Sequence, residues 1–204
     1  MLFAAVVSIF ALVGAYPHPE ADDEISRLAT AMQWKPNSVI ADIGAGDGRY
    51  SFAAAQHVLS GKVFATEIDQ AKLKDLRSEV KRRKLGNVVI VEGTATDTNL
   101  PRECCDAIFL RRVYHHLTQP FEFDVALLKP LKPRGRLAII DFPPNSGLGP
   151  VEGLQIDRGG HGILETTVIS ELTFVGFRLD KKVYAWPQGR YGSYCVLFEK
   201  ESQP

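Results

Sequence analysis

The segment Asp42-Ile43-Gly44-Ala45-Gly46-Asp47-Gly48 puts glycine at every second position directly after an apolar run. Glycine lets a backbone turn sharply and approach a ligand where a Cβ would collide. Between a strand and a helix, such a loop is a cradle for a nucleotide-like cofactor. A dinucleotide fingerprint, G-x-G-x-x-G, counted from Gly44 would need its last glycine at position 49, which is Arg49. That substitution argues against a nicotinamide or flavin cofactor.

A second group, Arg111-Arg112-Val113-Tyr114-His115-His116, follows a later apolar run. Imidazole exchanges a proton near neutral pH, so His115, with Tyr114, is a candidate for deprotonating or orienting a nucleophile. The competing reading gives one histidine to a helix cap or to the core. Arg111 is a candidate partner for a carboxylate, against simple solvation at the surface. His161, flanked by Gly159, Gly160 and Gly162, is a secondary candidate in a loop able to close and exclude water.

The elements that must position these groups follow from periodicity. Ile25, Leu28 and Met32 recur at helical spacing, with Asp22, Asp23 and Glu24 suited to the positive end of a helix that stops before Pro36. Then strands are expected at 39–43, 62–68, 88–91, 107–110 and 136–141, alternating with helices at 50–59, 70–85 and 121–129. The helix at 70–85 should end on Gly86 in a left-handed cap, and Pro130 should halt the one at 121–129. A further helix at 166–175 precedes strands at 178–185 and 191–198, joined by Pro187-Gln188-Gly189-Arg190, a loop short enough only for antiparallel neighbours. The fold class is α/β: a mostly parallel seven-stranded sheet with a C-terminal antiparallel hairpin and helices on both faces.

The glycine loop resembles motif I of the class I S-adenosylmethionine (SAM)-dependent methyltransferases, and the likeness extends over roughly residues 24 to 200. It implies a Rossmann-like fold, SAM as cofactor and methyl transfer. Glu67, 23 positions after Gly44, stands where that family sets an acid across the two ribose hydroxyls. Gly93-Thr94-Ala95 stands where the adenine edge is held, although the usual acid after it is displaced. Leu131-Lys132-Pro133-Arg134-Gly135 resembles the family's "LKPGG" turn, with Arg134 in place of a glycine. A positive φ there would carry a cost. The stretch from Tyr114 to Leu117 resembles the "hHHL" of the small-molecule branch, beside the transferable methyl group. The resemblance implies that Asp42, Gly44, Ala45, Gly46, Gly48, Glu67, Ile68, Thr94, Ala95 and Arg111 hold SAM, whose methionine carboxylate Arg111 would meet.

No metal site is expected, because metal-dependent O-methyltransferases combine acidic ligands at neighbouring strand ends and the fourth strand here ends in Arg111. Phe142-Pro143-Pro144-Asn145 reverses the order of the motif used on the amino groups of bases. Nucleic acid is therefore not the expected acceptor, consistent with 24 basic and 24 acidic residues and no net charge, and the resemblance to the small-molecule branch implies a small-molecule acceptor. The alternatives are a SAM- or nucleotide-binding protein without catalysis and an NAD-dependent Rossmann oxidoreductase.

At 204 residues, 45% hydrophobic and 24% charged, the chain fits one globular domain, read as residues 23–200. Residues 1–16 form an apolar leader, read as a cleaved export signal, with an uncleaved membrane anchor or a cytoplasmic protein as alternatives. Residues 17–22 form a connector. The expected location is periplasmic or secreted, with membrane contact only through the leader. Cys104, Cys105 and Cys195 make no disulfide framework and read as buried small hydrophobes.

Overall fold

The computed structural model describes residues 19–149, 153, 161–187 and 192–201. The apolar leader, Gly159, Gly160 and positions 188–190 of the hairpin loop lie outside the described residues.

Helix α1, Pro19–Ala31, begins within the segment read as a connector. Proline at the first turn lacks only an N–H that would have no intrahelical partner, and Glu20 and Asp22 complement the helix dipole. Its stripe Ala21, Glu24, Ile25, Leu28 is buried, and it packs on α2, Arg49–His57. Strands β1 (Val39–Ile43), β2 (Lys62–Glu67), β3 (Val88–Glu92), β4 (Cys105–Arg111), β5 (Leu131–Asp141), β6 (Phe177–Tyr184) and β7 (Tyr194–Lys200) form one sheet. Helices α3 (Gln70–Arg83), α4 (Pro120–Leu128) and α5 (Glu165–Phe174) complete the order.

Across the sheet the order is β3-β2-β1-β4-β5-β7-β6. The pairings from β3 to β5 are parallel, and β7 runs antiparallel to both neighbours. Alternating side chains feed two cores. Ile40, Phe109 and Ala138 face α1 and α2, whereas Ala41, Ile108 and Leu137 face α4 and α5. Because β1 pairs with both β2 and β4, the direction of winding reverses there, and the crevice beyond the carboxyl ends of those strands is the natural ligand site.

Two local differences from expectation have physical causes. The left-handed residue after α3 is Lys84 (φ 54°), not Gly86, because Leu85 turns inward against the core and donates its N–H to the Val80 carbonyl at 3.1 Å. Strand β5 starts at Leu131, five positions early, because the Lys132–Gly135 turn is a bulge inside the strand: Cys105 pairs with Leu131 and Ala107 with Arg136. Arg134 does adopt φ 62°, a conformation that costs a non-glycine residue about 1–2 kcal/mol.

Candidate functional site

The loop after β1 is tied to β2 before any ligand is considered. The N–H groups of Gly44 and Ala45 both donate to the Thr66 carbonyl, at 2.9 and 2.8 Å. Gly44, Gly46 and Gly48 all have positive φ, but their missing side chains serve different ends. A Cβ on Gly44 would lie 2.5 Å from Val113 Cγ2, and one on Gly48 would lie 2.5 Å from Phe52 Cζ. At Gly46 a Cβ would meet nothing within 4 Å, because that position opens onto a cavity of about 380 Å³.

Glu67, at the end of β2, is buried in the wall of that cavity. Its carboxylate accepts the N–H of Gly46 at 2.9 Å, of Ile68 at 2.8 Å and of Asp69 at 3.2 Å. It thereby joins the first loop to the second and still has lone-pair capacity toward the cavity, since a carboxylate offers about four acceptor sites. Ile68 lines the same wall while 60% exposed, an apolar surface awaiting a flat partner. Opposite it stand Thr94, Ala95 and Asp97. The Thr94 hydroxyl accepts the Asp97 N–H at 2.9 Å, which sets Asp97 in the cavity wall, its carboxylate accepting the Asn99 N–H at 2.8 Å and lying 3.5 Å from Lys129 Nζ. That carboxylate is the acid that looked displaced in the sequence.

Of the ten residues expected at the cofactor, Gly44, Gly46, Glu67, Ile68, Thr94, Ala95 and Arg111 line the cavity. Asp42, Ala45 and Gly48 are not in its lining. The Asp42 carboxylate is buried and accepts the Ser51 hydroxyl at 2.6 Å. Burial pushes its pKa up to about 7, against the lowering effects of Ser51 and the Arg111 charge. The folded value lies above the unfolded one, so its stabilising contribution is complete below about pH 4 and is lost as pH rises to about 7, over a range worth on the order of a few kcal/mol. Unfolding of the cofactor-free protein in urea should show stability falling through that window, and Asp42→Asn should flatten the fall. Equal slopes in the two proteins would show that another group is responsible.

Arg111 is held rather than free. Its Nε donates to Glu24 Oε2 at 2.9 Å, and its guanidinium lies 4.1 Å from the Tyr50 ring centroid. Glu24 is itself buried and accepts Trp186 Nε1–H at 3.0 Å, so α1 and the end of β6 are fastened to the cavity wall. The helical spacing from Ala21 to Leu28 already placed this acid on the buried stripe, which required a partner that only the fold supplies.

Tyr114 is not in the site. It is fully buried in the core on the α4 and α5 side, where its hydroxyl donates to Asp124 Oδ2 at 2.7 Å and lies 2.9 Å from Glu171 Oε2. The tight turn Tyr114–His116 sends Tyr114 into the core and keeps His115 and His116 side by side, and desolvation among carboxylates drives the phenol pKa far upward. Tyr114→Phe is expected to cost about 1–3 kcal/mol of stability by leaving a buried carboxylate short of its donor. Turnover per folded molecule should be unchanged; a specific loss of turnover would restore Tyr114 to the chemistry.

His115 is buried behind the cavity. Its Nδ1 lies 2.8 Å from Asp141 Oδ1, and its backbone N–H donates to Asp141 Oδ2 at 3.2 Å. His116 reaches the cavity wall, and burial, reinforced by the neighbouring imidazoles, pulls its pKa below the ordinary value. His161, 45 positions further along the chain, comes to the same place. Its carbonyl accepts the Asn145 N–H at 2.8 Å, and Ile163 N–H donates to the Phe142 carbonyl at 2.8 Å, which pins this loop along the residues after β5.

A cradle at the switch point, a carboxylate on the second strand and an apolar plate beside it define a class I methyltransferase site, and a cavity of this volume suits a nucleoside-sized cofactor. Residues 41–139, from β1 to β5, match the family model described as a methyltransferase domain. The protein is a SAM-dependent methyltransferase of that class. A curated relative, a protein-lysine N-methyltransferase of Saccharolobus islandicus, is 22% identical over 142 residues, 69% of this chain and 84% of the relative. A SAM-dependent methyltransferase from Aquifex aeolicus has the same fold at a TM-score of 0.73 and 24% identity, covering 89% of this chain and 93% of that one. The [4+2]-cyclase SpnF also reaches a TM-score of 0.73, at 16% identity, covering 89% of this chain and 82% of that one. At these identities the structural likeness speaks for the fold alone.

Proposed function

We propose that the enzyme methylates a small polar acceptor by in-line displacement, with the acceptor seated at the carboxyl ends of β4 and β5. The observation that carries this reading is a second hollow of about 350 Å³ that shares Arg111 and Arg112 with the cofactor cavity and is closed on its far side by Asp141, Tyr50 and Trp186. Two cavities sharing one wall suit a donor and an acceptor that must meet. The hollow is enclosed enough for a small molecule and is bordered by charged groups of both signs, Glu20 and Asp23 against Arg49 and Arg112.

SAM supplies a methyl group already activated by its sulfonium, so the protein's task is alignment and exclusion of water, which together can account for much of the barrier. Glu67 would accept the ribose hydroxyls, Ile68 would cover one face of the adenine, and Thr94, Ala95 and Asp97 would meet its edge. Gly46 would let the backbone pass close to the cofactor. Asp42 acts at one remove, by holding the start of α2 through Ser51. His115 lies behind the hollow, joined to it through Asp141, and its other ring nitrogen is buried, so it would take a proton or orient a nucleophile only once that ring is uncovered.

The test is release of the demethylated cofactor from SAM in the presence of small phenols, thiols, carboxylates and amines, with a lysine-bearing peptide in parallel. Turnover with a small acceptor and not with the peptide supports the proposal. Turnover with the peptide alone would replace it by the acceptor named for the Saccharolobus relative.

A further inference from the structure

His115, His116 and His161 come together beside the cofactor cavity, whose wall His116 joins. Each offers a ring nitrogen, and these three atoms lie within 4.8 Å of one another. The rings crowd together, with centroids 4.0 Å apart for His115 and His116, 5.0 Å for His115 and His161 and 5.6 Å for His116 and His161. Three imidazoles packed this closely gain little from one another unless something sits between their nitrogens.

The state of His115 points to what that is. With Asp141 beside Nδ1, a neutral ring that donates there has its lone pair on Nε2, the atom available to a ligand. The side chain is 1% exposed, yet Nε2 has no hydrogen-bond partner. Leaving a buried polar nitrogen unsatisfied is costly enough that native proteins seldom do so without a purpose. Asp141 is itself fixed, by the N–H groups of His115 and Phe142 at 3.2 and 3.0 Å. A carboxylate gripping one nitrogen of a histidine while the other is left unpartnered is the outer-shell arrangement of metal-bound imidazole.

We propose that His115, His116 and His161 bind one divalent transition-metal ion of the zinc class, with Asp141 as the positioning residue behind His115. All-nitrogen ligation selects zinc or a neighbouring first-row ion over magnesium or calcium, which require oxygen ligands. Tetrahedral zinc with Zn–N bonds of about 2.0–2.1 Å needs nitrogens roughly 3.3–3.4 Å apart, so closure demands ring movements on the order of 1 Å. Three protein ligands leave a fourth position open, as in catalytic rather than structural zinc sites. Because His116 lines the cofactor cavity, that position lies beside that cavity. Resting on the methyl-transfer reading above, its use is to hold an acceptor hydroxyl or thiol as its anion, the proton leaving to solvent. Metal binding itself does not depend on that reading.

The test uses the full chain, stripped with a chelator, and titrates Zn²⁺ by calorimetry and Co²⁺ by visible absorption, with SAM binding measured on the same samples. The expected result is one Zn²⁺ per chain with Kd at or below about 1 μM. His161→Ala should weaken it by about 100-fold or more, and Asp141→Asn by about 10–100-fold, the range for outer-shell partners. SAM affinity of His161→Ala, changed by less than about threefold, serves as the control that the variant is folded. Absence of stoichiometric Zn²⁺ binding in a protein that still binds SAM overturns the metal site and leaves the methyltransferase reading intact. Zn²⁺ binding indifferent to His161→Ala, or a thiolate charge-transfer band with Co²⁺, would place the ion elsewhere, on Cys104 and Cys105, and equally overturn it.

Discussion

Glu67→Gln is expected to weaken SAM binding by about 100-fold or more while the protein stays folded. Charge-assisted hydrogen bonds are worth about 1.5–3 kcal/mol each, and the acceptor capacity that Glu67 keeps beside its three backbone N–H groups would go to the ribose. The amide has a second cost: Glu67 accepts N–H groups on both of its oxygens, from Gly46 on one and from Ile68 and Asp69 on the other. Whichever way a glutamine amide turns, its NH₂ must face a backbone donor, so the loops it joins lose their link as the cofactor loses its anchor. Calorimetry of the variant against the wild type checks this, with SAM and its demethylated product side by side. Equal affinities would mean that the ribose is held elsewhere.

The glycines of the first loop should separate binding from stability. Gly46→Ala meets no protein atom, so its cost to the cofactor-free protein is only that of a left-handed alanine, about 1–2 kcal/mol and a few degrees in Tm. The new methyl group projects into the cofactor cavity, and SAM affinity should fall by about 30-fold or more. Gly48→Ala has the opposite signature. Its Cβ would lie 2.5 Å from Phe52 Cζ and 2.6 Å from Leu76 Cδ2, so overpacking adds to the backbone strain, and a stability loss of about 2–4 kcal/mol is expected. Thermal melts and SAM titrations on the two variants make the comparison. Parallel losses of binding and stability in both would show that the loop acts as one unit and that Gly46 has no special place in it.

Much of the architecture was legible because strand and helix signals agreed with the global plan. Strand β1 runs over Val39–Ile43 as expected, and the sheet carries the antiparallel ending implied by the short loop after Pro187. The misread positions are those where tertiary contacts override local preference. Lys84 takes the left-handed cap because Leu85 must reach the core, and the Lys132–Gly135 bulge hides the start of β5. Helix α1 reaches back to Pro19 because proline and the acids after it, read as a connector, are equally good helix openers.

At the site, residues close in sequence were found and residues joined only by folding were not. The glycine loop, Glu67 and Arg111 could be placed by spacing from strand ends. Tyr114 differs from the expected position because the tight turn Tyr114–His116 sends its side chain into the core while His116, two residues on, reaches the cavity wall. Glu24 gave a signal, an acid on an apolar stripe, that had no meaning without Arg111 and Trp186 beside it. Carboxylates at strand ends are what spacing can reveal of a metal site, whereas His115, His116 and His161 are gathered from two distant loops only by the fold.

The most direct test of the central claim is a calorimetric titration of the full-length protein with SAM, its demethylated product and NAD. Stoichiometric binding of SAM and of its product, with none of NAD, is the predicted result. Absence of SAM binding by a folded protein, or a preference for NAD, would contradict it.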